Sequence, residues 1–468
     1  MLDVLLGLSI FALFVTATGF SLLVGQRGVL NSGDRIRGTL LSERALEAAR
    51  SVRDRDIDAL IDGTHGTAFN EGNWGLYGSG TTTEDGFRTT LQITHEDDRI
   101  VMVARTEWNM GQTRSGSVTL LSELTNWRVV QAIGDWTNVT LEGSYVDSGT
   151  PLFNDAVVYG DYAFVTSETS AGGAGLYVFD ITNLGAPARV ASSFSLEAPG
   201  YEMLMNAGRL FVVTGDSSHE IAIYDVSNPA SLDTSDRLAT INVPGSGRAR
   251  SIAFFNGTLY VAATESSTEA ELYSYDISNI NAITLQDSLD DSGGHMNLAL
   301  HEGYVYIAST QDDSELRVGD IFDPANIVLT AGSGYNLTDV QDGQAIATFG
   351  TSALLGRANG SAIAELVLFA IDTNPIPSPP PGPWGQETGG AVNGIDVEPG
   401  GRYAFLATEN TTKELQVIDI PSFRGGEAPE ADSYDTATGN GRGVFYDYTR
   451  DRTYLMTNKA FLILKPGA

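Results

Sequence analysis

Histidine is the first residue type in this chain whose spacing could indicate catalysis or metal binding. The 468 residues include five histidines, His65, His95, His219, His295 and His301, and no cysteine. His295 and His301 are six residues apart, a spacing that matches neither a helical ligand pair nor a known metal motif. The lack of cysteine excludes disulfides, thiolate metal sites, iron–sulfur clusters and thiol catalysis. We therefore expect no metal site and no catalytic histidine.

Two acidic segments, DSLDDSGG (287–294) and TQDDSE (310–315), contain oxygen ligands of the kind that Ca²⁺ requires. Neither fits the EF-hand pattern, and solvated loop charge is the simpler interpretation. The sequence also lacks a G-x-S-x-G elbow, an H-E-x-x-H pair and a phosphate-binding glycine loop that opens a helix. We expect no cofactor, and we predict that the protein is not an enzyme.

One aspartate recurs at regular spacing through the C-terminal part of the chain. Asp180, Asp225, Asp276, Asp320 and Asp419 each end an alternating apolar run and precede a turn-like segment. An aspartate in this place can accept hydrogen bonds from the backbone of the turn. We therefore predict that these residues cap turns and that none of them is catalytic.

The aspartates belong to a repeating unit of roughly 45 residues, which contains four strand-like segments. Such units predict a β-propeller, here with seven blades over residues 138–468. The seventh unit stops before its last strand, so we predict that NVTLEGSYV (138–146) completes it and removes an open sheet edge. We interpret the proline-rich stretch PIPSPPPGPWG (375–385) as a surface excursion.

The repeats resemble the LVIVD-repeat family, and IAIYDVSNPA (221–230) is the segment that matches best. The resemblance covers about residues 138–468, and it implies the propeller fold without specifying a function. The same region contains all five N-x-[ST] sequons, which mark candidate glycosylation sites. The five sequons begin at Asn138, Asn256, Asn336, Asn359 and Asn410.

The N-terminal segment MLDVLLGLSIFALFVTATGFSLLVG has one charged residue, Asp3, before an uncharged stretch long enough to span a bilayer. A secretory signal peptide would have basic residues before the apolar stretch and a small-residue cleavage site after it. Neither is clear in this sequence. A single-pass anchor fits the length of the stretch but leaves Asp3 without a role.

A second helical pattern follows within residues 31–128. Apolar residues recur at three- and four-residue spacings from Leu40 to Leu60, with Asp34 as the predicted cap and Gly63 as the predicted stop. A Gly-rich loop is predicted over 63–80, followed by the strand-like runs GFRTTLQITH, RIVMVARTEWN and RSGSVTLLSELTNW. The pattern predicts a long N-terminal helix that packs on a small antiparallel sheet, with residues 129–137 as the linker to the propeller.

This layout resembles the type IV pilins and pseudopilins, in particular pilin-like proteins of the pilus-modification type. LDVLLGLSIFAL resembles the mature N-terminus of that family, and ALEAARSVRDRDIDAL, GTHGTAF, DGFRTTLQIT and LTNW resemble its downstream segments. In the family the acidic residue is the fifth of the mature chain, whereas here it is the third. The resemblance covers about residues 1–128.

The resemblance implies that residues 1–30 form an apolar helix that lies in the cytoplasmic membrane before assembly and in the filament core afterwards. It implies that Asp3 pairs with the α-amino group of a neighbouring subunit, since an unpaired carboxylate is costly in an apolar bundle. The other residues expected to make subunit contacts are Leu5, Leu6, Leu8, Ile10, Phe11 and Phe14.

Charge is distributed unevenly along the chain. The sequence has 27 Lys and Arg against 59 Asp and Glu, a net charge of −32. Residues 129–468 contain 15 of the basic residues and 43 of the acidic ones. Such a surface repels nucleic acid and anionic lipid headgroups, so we expect no nucleic-acid partner.

Together these patterns predict an α+β pilin-like domain followed by an all-β seven-bladed β-propeller. The expected function is that of a structural subunit in an extracellular type IV pilus-like filament, a homo-oligomer held by its N-terminal helices. The propeller is expected to serve adhesion or to bind a surface or glycan ligand. Two alternatives remain open: a minor tip pilin-adhesin, and a membrane-tethered propeller enzyme such as a lyase or hydrolase.

Overall fold

The structure is a computed structural model that describes residues 33–467 with some gaps. The gaps comprise 53–59, 61–62, 71–72, 79, 97–98, 110–114, 126–132, 150, 169–174, 191–195, 197, 246–247, 256, 267–268, 292, 302, 331–333, 338–339, 361–363, 372–384 and 426–428. The chain divides into two compact units, Met1–Val130 and Gln131–Ala468. The predicted assembly residues lie outside the described residues; they are Asp3, Leu5, Leu6, Leu8, Ile10, Phe11 and Phe14.

In the first unit, one described helix, α1 (33–52), packs on an antiparallel sheet. The strands of this sheet are β1 (Gly63–Asn70), β2 (Asn73–Gly78), β3 (Thr82–Glu84), β4 (Phe87–Glu96), β5 (Arg99–Asn109) and β6 (Ser115–Thr125). Their order is β2-β1-β4-β5-β6, and β3 pairs with β4. The three strand-like runs of the sequence correspond to β4, β5 and β6. The apolar first half of the predicted long helix falls before the first described residue.

Residues 63–80 contain a β-hairpin rather than the predicted Gly-rich loop. β1 pairs with β2 from His65 opposite Gly78 to Asn70 opposite Asn73, and its first residues pair with β4. His65 and Thr67 are buried, so alternate side chains of β1 face the core. Glycine has low strand propensity and no side chain. Because β1 and β2 contain several glycines, the sequence shows no clear alternation of apolar and polar residues over these strands. Gly63 begins β1 and is not a helix stop.

The core of the first unit joins α1 to the sheet. Its helical members are Ala45, Leu46, Ala49 and Val52, and its sheet members include Leu91, Ile93, Met102 and Ala104. Close to it, the Trp108 ring lies between two glycines: an added Cβ would lie 2.6 Å from the ring at Gly38 and 2.5 Å from it at Gly116. The buried residues match the predicted helical spacing, except that Leu40 is exposed.

The second unit begins with β7 (Val139–Val146) and continues in four-stranded antiparallel sheets. Blade 1 contains β8 (Phe153–Tyr159), β9 (Tyr162–Ser167), β10 (Leu176–Asp180) and β11 (Ala188–Arg189). Blade 2 contains β12 (Gly200–Asn206), β13 (Arg209–Thr214), β14 (Ile221–Asp225) and β15 (Arg237–Ile241). Blade 3 contains β16 (Ala249–Phe255), β17 (Thr258–Ala263), β18 (Leu272–Asp276) and β19 (Thr284–Leu289). Two 3₁₀ turns, Pro229–Ser231 and Thr234–Asp236, lie within blade 2.

The remaining blades repeat this pattern. Blade 4 contains β20 (His295–His301), β21 (Tyr304–Ser309), β22 (Leu316–Asp320) and β23 (Val328–Leu329). Blade 5 contains β24 (Gly343–Phe349), β25 (Ser352–Arg357), β26 (Leu366–Ala370) and β27 (Gly385–Gln386). Blade 6 contains β28 (Val392–Val397), β29 (Tyr403–Thr408), β30 (Leu415–Asp419), the short helix α2 (Ile420–Gly425) and β31 (Glu430–Tyr434). Blade 7 contains β32 (Gly441–Asp447), β33 (Arg452–Thr457), β34 (Ala460–Pro466) and β7.

The seven sheets form a closed ring around their first strands. The first strands of blades 1 to 7 contact one another in order, and β32 of blade 7 contacts β8 of blade 1. β7 supplies the outer strand of blade 7, in a register that runs from Val146 opposite Ala460 to Val139 opposite Pro466. The unit is therefore a β-propeller of seven blades, and the predicted closure of the last blade by residues 138–146 is confirmed.

Trp136 falls within the predicted linker 129–137, yet it is completely buried in the propeller unit. Its indole ring packs edge-on against Phe405 and Tyr446, with ring centroids 4.7 and 6.1 Å away. Its Nε1–H donates to Asp451 Oδ1 over 2.9 Å. Packing of the propeller therefore begins before the first predicted residue of that domain.

Candidate functional site at the propeller channel

The recurring aspartates cap turns, as predicted. The Oδ1 atom of Asp180 accepts the backbone N–H of Thr182 over 2.9 Å, and Asp276 accepts that of Ser278 in the same way. The Thr182 hydroxyl and N–H hold the pKa of Asp180 below its ordinary value. Asp225, Asp320 and Asp419 accept N–H groups two or three residues further along the chain. Each of these carboxylates is therefore a hydrogen-bond acceptor of its turn, and that they are not catalytic stays a prediction.

The paired histidines of blade 4 are the first and last residues of β20, so they do not come together. Six strand residues span about 20 Å, which is too far for two ligands of one metal ion. His295 is buried, and its Nε2 lies 3.0 Å from Asp291 Oδ2, which also pairs with Arg317 over 2.6 Å. His219 lies beside Asp216 in a turn of blade 2. The side chain of His95 lies outside the described residues.

The two acidic segments are used within the fold. In the first segment, Asp287 accepts the backbone N–H of Ile327 over 2.7 Å, and Asp291 forms the ion pairs with His295 and Arg317. In the second segment, Glu315 accepts the backbone N–H of Leu337 over 2.9 Å. Across the part of the chain that the structure describes, no three His, Asp or Glu side chains are grouped to hold a metal ion.

A buried glutamate stands immediately before the third strand in five of the blades. Its exposed fraction is 1% or less, and one carboxylate oxygen accepts a backbone N–H from the loop after the fourth strand. The set comprises Glu220, Glu271, Glu315, Glu365 and Glu414. These residues were not predicted, although four of them stand five residues before a recurring aspartate, and that spacing was the available signal.

Removing one of these glutamates should destabilise its blade. Glu414→Ala leaves the N–H of Thr436 without its acceptor, which lies 2.9 Å away, and we expect a loss of about 1–3 kcal/mol in the free energy of unfolding. Glu414→Gln keeps an acceptor oxygen and should cost less. Urea titration followed by circular dichroism measures both, with the exposed Glu265→Ala as control. Equal effects for Glu414→Ala and Glu265→Ala would contradict the assigned role.

The first strand of every blade contains a register shift near its start. In all seven strands the second residue has no residue opposite it in the register with the next strand, as in a β-bulge. The first residue of each strand is buried, whereas the second is half-buried. These second residues, the mouth ring, are Asn154, Tyr201, Arg250, Met296, Gln344, Asn393 and Arg442. They lie at one end of the strands that surround the axis, and so they line one entrance of the central channel.

Several mouth-ring residues join neighbouring blades. Asn154 Nδ2 donates to the carbonyl of Gly200 over 2.6 Å, and Asn393 donates to that of Gly441 over 2.9 Å. Arg442 donates to Asn154 Oδ1 through Nε and Nη2, over 2.9 and 2.7 Å, and it pairs with Glu168. The Arg250 guanidinium lies 4.7 Å from the centre of the Tyr201 ring.

Below the mouth ring, the third residue of four consecutive first strands accepts a backbone N–H from the next blade. Asp155 accepts the N–H of Met203 over 2.7 Å, and Asn297 accepts that of Ile346 over 3.0 Å. Glu202 and Ser251 act in the same way toward blades 3 and 4. Blade 6 uses a different position, where Asp396 accepts the N–H of Tyr446 over 2.7 Å. Polar side chains around the channel therefore hold the blades together.

Three of these side chains are carboxylates with raised pKa values. Burial raises the pKa of Asp155 to about 7, against the opposing effect of two backbone hydrogen bonds, and the charge of Asp396 adds to the shift. Burial likewise raises the pKa of Asp396 to about 6. Burial and then the charge of Asp155 raise the pKa of Glu202 well above its ordinary value. Enclosed carboxylates with shifted pKa values are typical of functional sites, and also of structural hydrogen-bond networks.

The candidate glycosylation sites differ in their surroundings. Asn138 and Asn359 are exposed, while the side chain of Asn410 donates to the carbonyl of Thr388 over 2.8 Å and accepts from Thr412. Asn336 is also exposed, and Asn256 lies outside the described residues. Glycosylation stays a prediction at each of these positions.

The described ranges include no helix that is both long and apolar enough to cross a membrane. The predicted apolar helix of residues 1–30 precedes those ranges.

Comparison with known proteins agrees with the propeller geometry. Residues 154–193, 211–240 and 292–332 match the model of the LVIVD repeat. No curated protein matches the chain.

Solved structures of other proteins are also similar to this chain. A chain in the crystal structure of the mitotic checkpoint complex is similar with a TM-score of 0.51 and 12% identity, over 70% of this chain and 96% of that chain. The WD40 repeats of RRP9 are similar with a TM-score of 0.48 and 12% identity, over 71% of this chain and 98% of that chain. The first likeness supports the propeller fold.

Proposed function

We propose that this chain is a structural subunit of an extracellular type IV pilus-like filament that displays an LVIVD propeller for adhesion or ligand binding. The observation that carries the proposal is the exposed face of α1. Ile36 and Leu40, one turn apart, are 60% and 58% exposed, although the opposite face of the helix is buried on the sheet. Further along the exposed face stand Glu43 and Glu47.

The exposed apolar residues lie in the first turns of α1, next to the apolar stretch that precedes it in sequence. Burial of a leucine or isoleucine side chain contributes about 1.5–3 kcal/mol, so this face gains free energy when another apolar surface covers it. A second copy of the same helix supplies such a surface, because in parallel packing the apolar half of one subunit meets the apolar half of the next. The helices of residues 1–30 would then form the filament core, with contacts through Leu5, Leu6, Leu8, Ile10, Phe11 and Phe14.

Asp3 would set the register of this assembly. A carboxylate inside an apolar core is stable only when it is paired, and the α-amino group of a neighbouring subunit is the cation available at that depth. The acidic propeller suits the outside of such a filament, since its 43 acidic and 15 basic residues keep crowded copies apart in water. Before assembly, the apolar helix would hold the subunit in the cytoplasmic membrane.

Electron microscopy of the purified protein tests the proposal. We expect regular fibres with helices at the centre and propellers at the surface, and the Asp3→Ala variant should lower the yield of fibres at least tenfold. Asp3→Glu, which keeps a carboxylate, should retain assembly. Material that stays monomeric in detergent, or normal fibre yield with Asp3→Ala, would contradict the proposal. Fibres that carry one copy at an end would instead support a minor tip pilin-adhesin.

The channel carboxylates favour one second candidate, a membrane-tethered lyase or hydrolase. Asp155 and Asp396, with pKa values of about 7 and about 6, could exchange protons near neutral pH. Both carboxylates already accept two backbone N–H groups, which supports a structural role instead. Release of products from acidic polysaccharides, abolished in Asp155→Asn, would favour the enzyme.

A further inference from the structure

In one half of the mouth ring the polar side chains form hydrogen bonds and an ion pair within the propeller. In the other half they form none with the described residues. Around Arg442, hydrogen bonds and an ion pair connect Asn154 and Glu168. In blades 3 to 5, by contrast, Arg250 and Gln344 make no hydrogen bond or ion pair with any residue that the structure describes. Two polar side chains at the entrance of a channel are thus available to a molecule from outside.

Arg250 is the more informative of the two. Its guanidinium stacks on Tyr201 at 4.7 Å, and its Nε atom is buried without a hydrogen-bond partner among the residues that the structure describes. Acidic residues outnumber basic ones by 43 to 15 in residues 129–468, so carboxylates are abundant around the few cations. Even so, none of the described carboxylates pairs with this guanidinium. A ligand cannot reach the enclosed Nε atom, but the two Nη groups are not enclosed and can donate to an acceptor from outside.

We propose that the mouth of the channel binds a ligand that carries a carboxylate group, with Arg250 as the residue that pairs with it. The guanidinium presents parallel N–H donors whose spacing matches the two oxygens of a carboxylate. Stacking on Tyr201 holds the plane of the guanidinium before the ligand arrives, which lowers the entropy lost on binding. Gln344, two blades further round the ring, offers an amide to a second polar group of the ligand.

A singly charged carboxylate fits this entrance better than a phosphate group. Residues 129–468 contain 43 acidic and 15 basic residues, so a group with two negative charges meets roughly twice the repulsion for the same single arginine. A neutral sugar would leave the charge of Arg250 unpaired. The ligand chemistry is therefore one carboxylate beside neutral polar groups, as in an acidic sugar residue or a peptide carboxylate.

The inference deepens the binding role proposed for the propeller, and its test does not depend on filament formation. Arg250→Gln should form fibres as the wild type does, because Arg250 lies in blade 3 of the propeller and the fibre contacts are proposed for residues 1–30. Loss of fibres in Asp3→Ala and loss of ligand in Arg250→Gln are thus separate results. If the filament proposal fails, the ligand proposal is still decided by the binding measurement, and the reverse also holds.

The test is calorimetric titration of the full-length protein with three probes: the methyl glycoside of galacturonate, its neutral methyl ester and the N-acetylated tripeptide Ac-Ala-Ala-Ala, so that each acidic probe carries a single carboxylate. We expect a carboxylate probe to bind, and the ester to bind at least tenfold more weakly than the free sugar acid if the ligand is a sugar. The tighter of the two acidic probes identifies the source of the carboxylate. Arg250→Gln should weaken binding by about 10- to 100-fold, and Arg250→Lys, which keeps the charge without the paired donors, by less.

Arg248→Gln is the matched control, because Arg248 is an exposed arginine two residues away and outside the mouth ring. It should bind as the wild type does, and the unfolding midpoints of all variants should agree, so that a loss of binding is not a loss of fold. The proposal is overturned if neither acidic probe binds the wild type, if the ester binds as tightly as the acid, or if Arg250→Gln binds like Arg248→Gln.

Discussion

Replacing Trp136 with alanine is expected to lower the free energy of unfolding of the propeller by about 3–5 kcal/mol. The side chain is completely buried between Phe405 and Tyr446, and its Nε1–H donates to Asp451. Alanine would leave a cavity of nearly indole size, and it would remove one donor from a buried carboxylate. The same aspartate also accepts the hydroxyl of Tyr446 over 2.7 Å and the N–H of Gly134 over 2.8 Å.

The large effect follows from where Trp136 stands in the chain. It directly precedes β7, the strand that completes blade 7 and closes the ring. A weakened anchor at Trp136 therefore also weakens the pairing of β7 with β34, and an exposed edge of β34 would be free to pair with other chains.

Urea unfolding followed by circular dichroism measures this loss, and hydrogen exchange of the β34 amides reports the opening of blade 7. Trp136→Phe, which keeps an aromatic ring without the indole N–H, should fall between the wild type and Trp136→Ala. Asp135→Asn, at an exposed neighbouring position, should change the free energy of unfolding by less than about 0.5 kcal/mol. A loss below about 1 kcal/mol for Trp136→Ala would mean that the anchor is not important for closure.

The second prediction is that the propeller becomes more stable as pH falls from 8 to 5. The folded-state pKa values of Asp155 and Asp396 are about 7 and about 6, above the ordinary aspartate value of 3.8. A group whose pKa is raised by folding binds its proton more tightly in the folded state. Its contribution to stability therefore grows as pH falls through the raised pKa, and it levels off below 3.8.

Asp155 alone should contribute roughly 2–3 kcal/mol of this increase between pH 8 and pH 5, and Asp396 about half as much. Glu202, whose pKa is also raised, acts in the same direction. Urea titrations at the two pH values measure the change. Asp155→Asn combined with Asp396→Asn keeps an acceptor oxygen at each position and removes both titrations, so its unfolding free energy should vary much less with pH.

Asp180→Asn is the control for general charge effects. The turn lowers the pKa of Asp180 below 3.8, so this residue stays ionised throughout the range from pH 8 to pH 5. Its variant should keep the pH dependence of the wild type. If the double variant also keeps that dependence, Asp155 and Asp396 are not its source, and the prediction for these two carboxylates is wrong; Glu202 and relief of repulsion across the acidic surface are then the remaining explanations.

The channel network could not be predicted from the sequence because its partners lie one blade apart. The N–H of Met203 meets Asp155 across 48 positions of the chain, and the N–H of Tyr446 meets Asp396 across 50. Neither carboxylate stands in a local motif, and each sits inside an ordinary strand. The same holds for Trp136, which follows no periodic pattern and fell into the predicted linker, although residues far along the chain bury it.

The sequence by itself determined the repeat, the number of blades, the turn-capping aspartates and the closure by residues 138–146. Each of these depends on local patterns, such as strand alternation, turn residues and the missing last strand of the final unit. Only the tertiary structure decided which side chains meet at the channel. Arg250 stacks on Tyr201, Arg442 bonds to Asn154 and Glu168, and the carboxylates of Asp155, Glu202 and Asp396 lie beneath the mouth ring. The register shift of each first strand and the closure of the ring bring these residues together, and both depend on contacts between blades that no single repeat encodes.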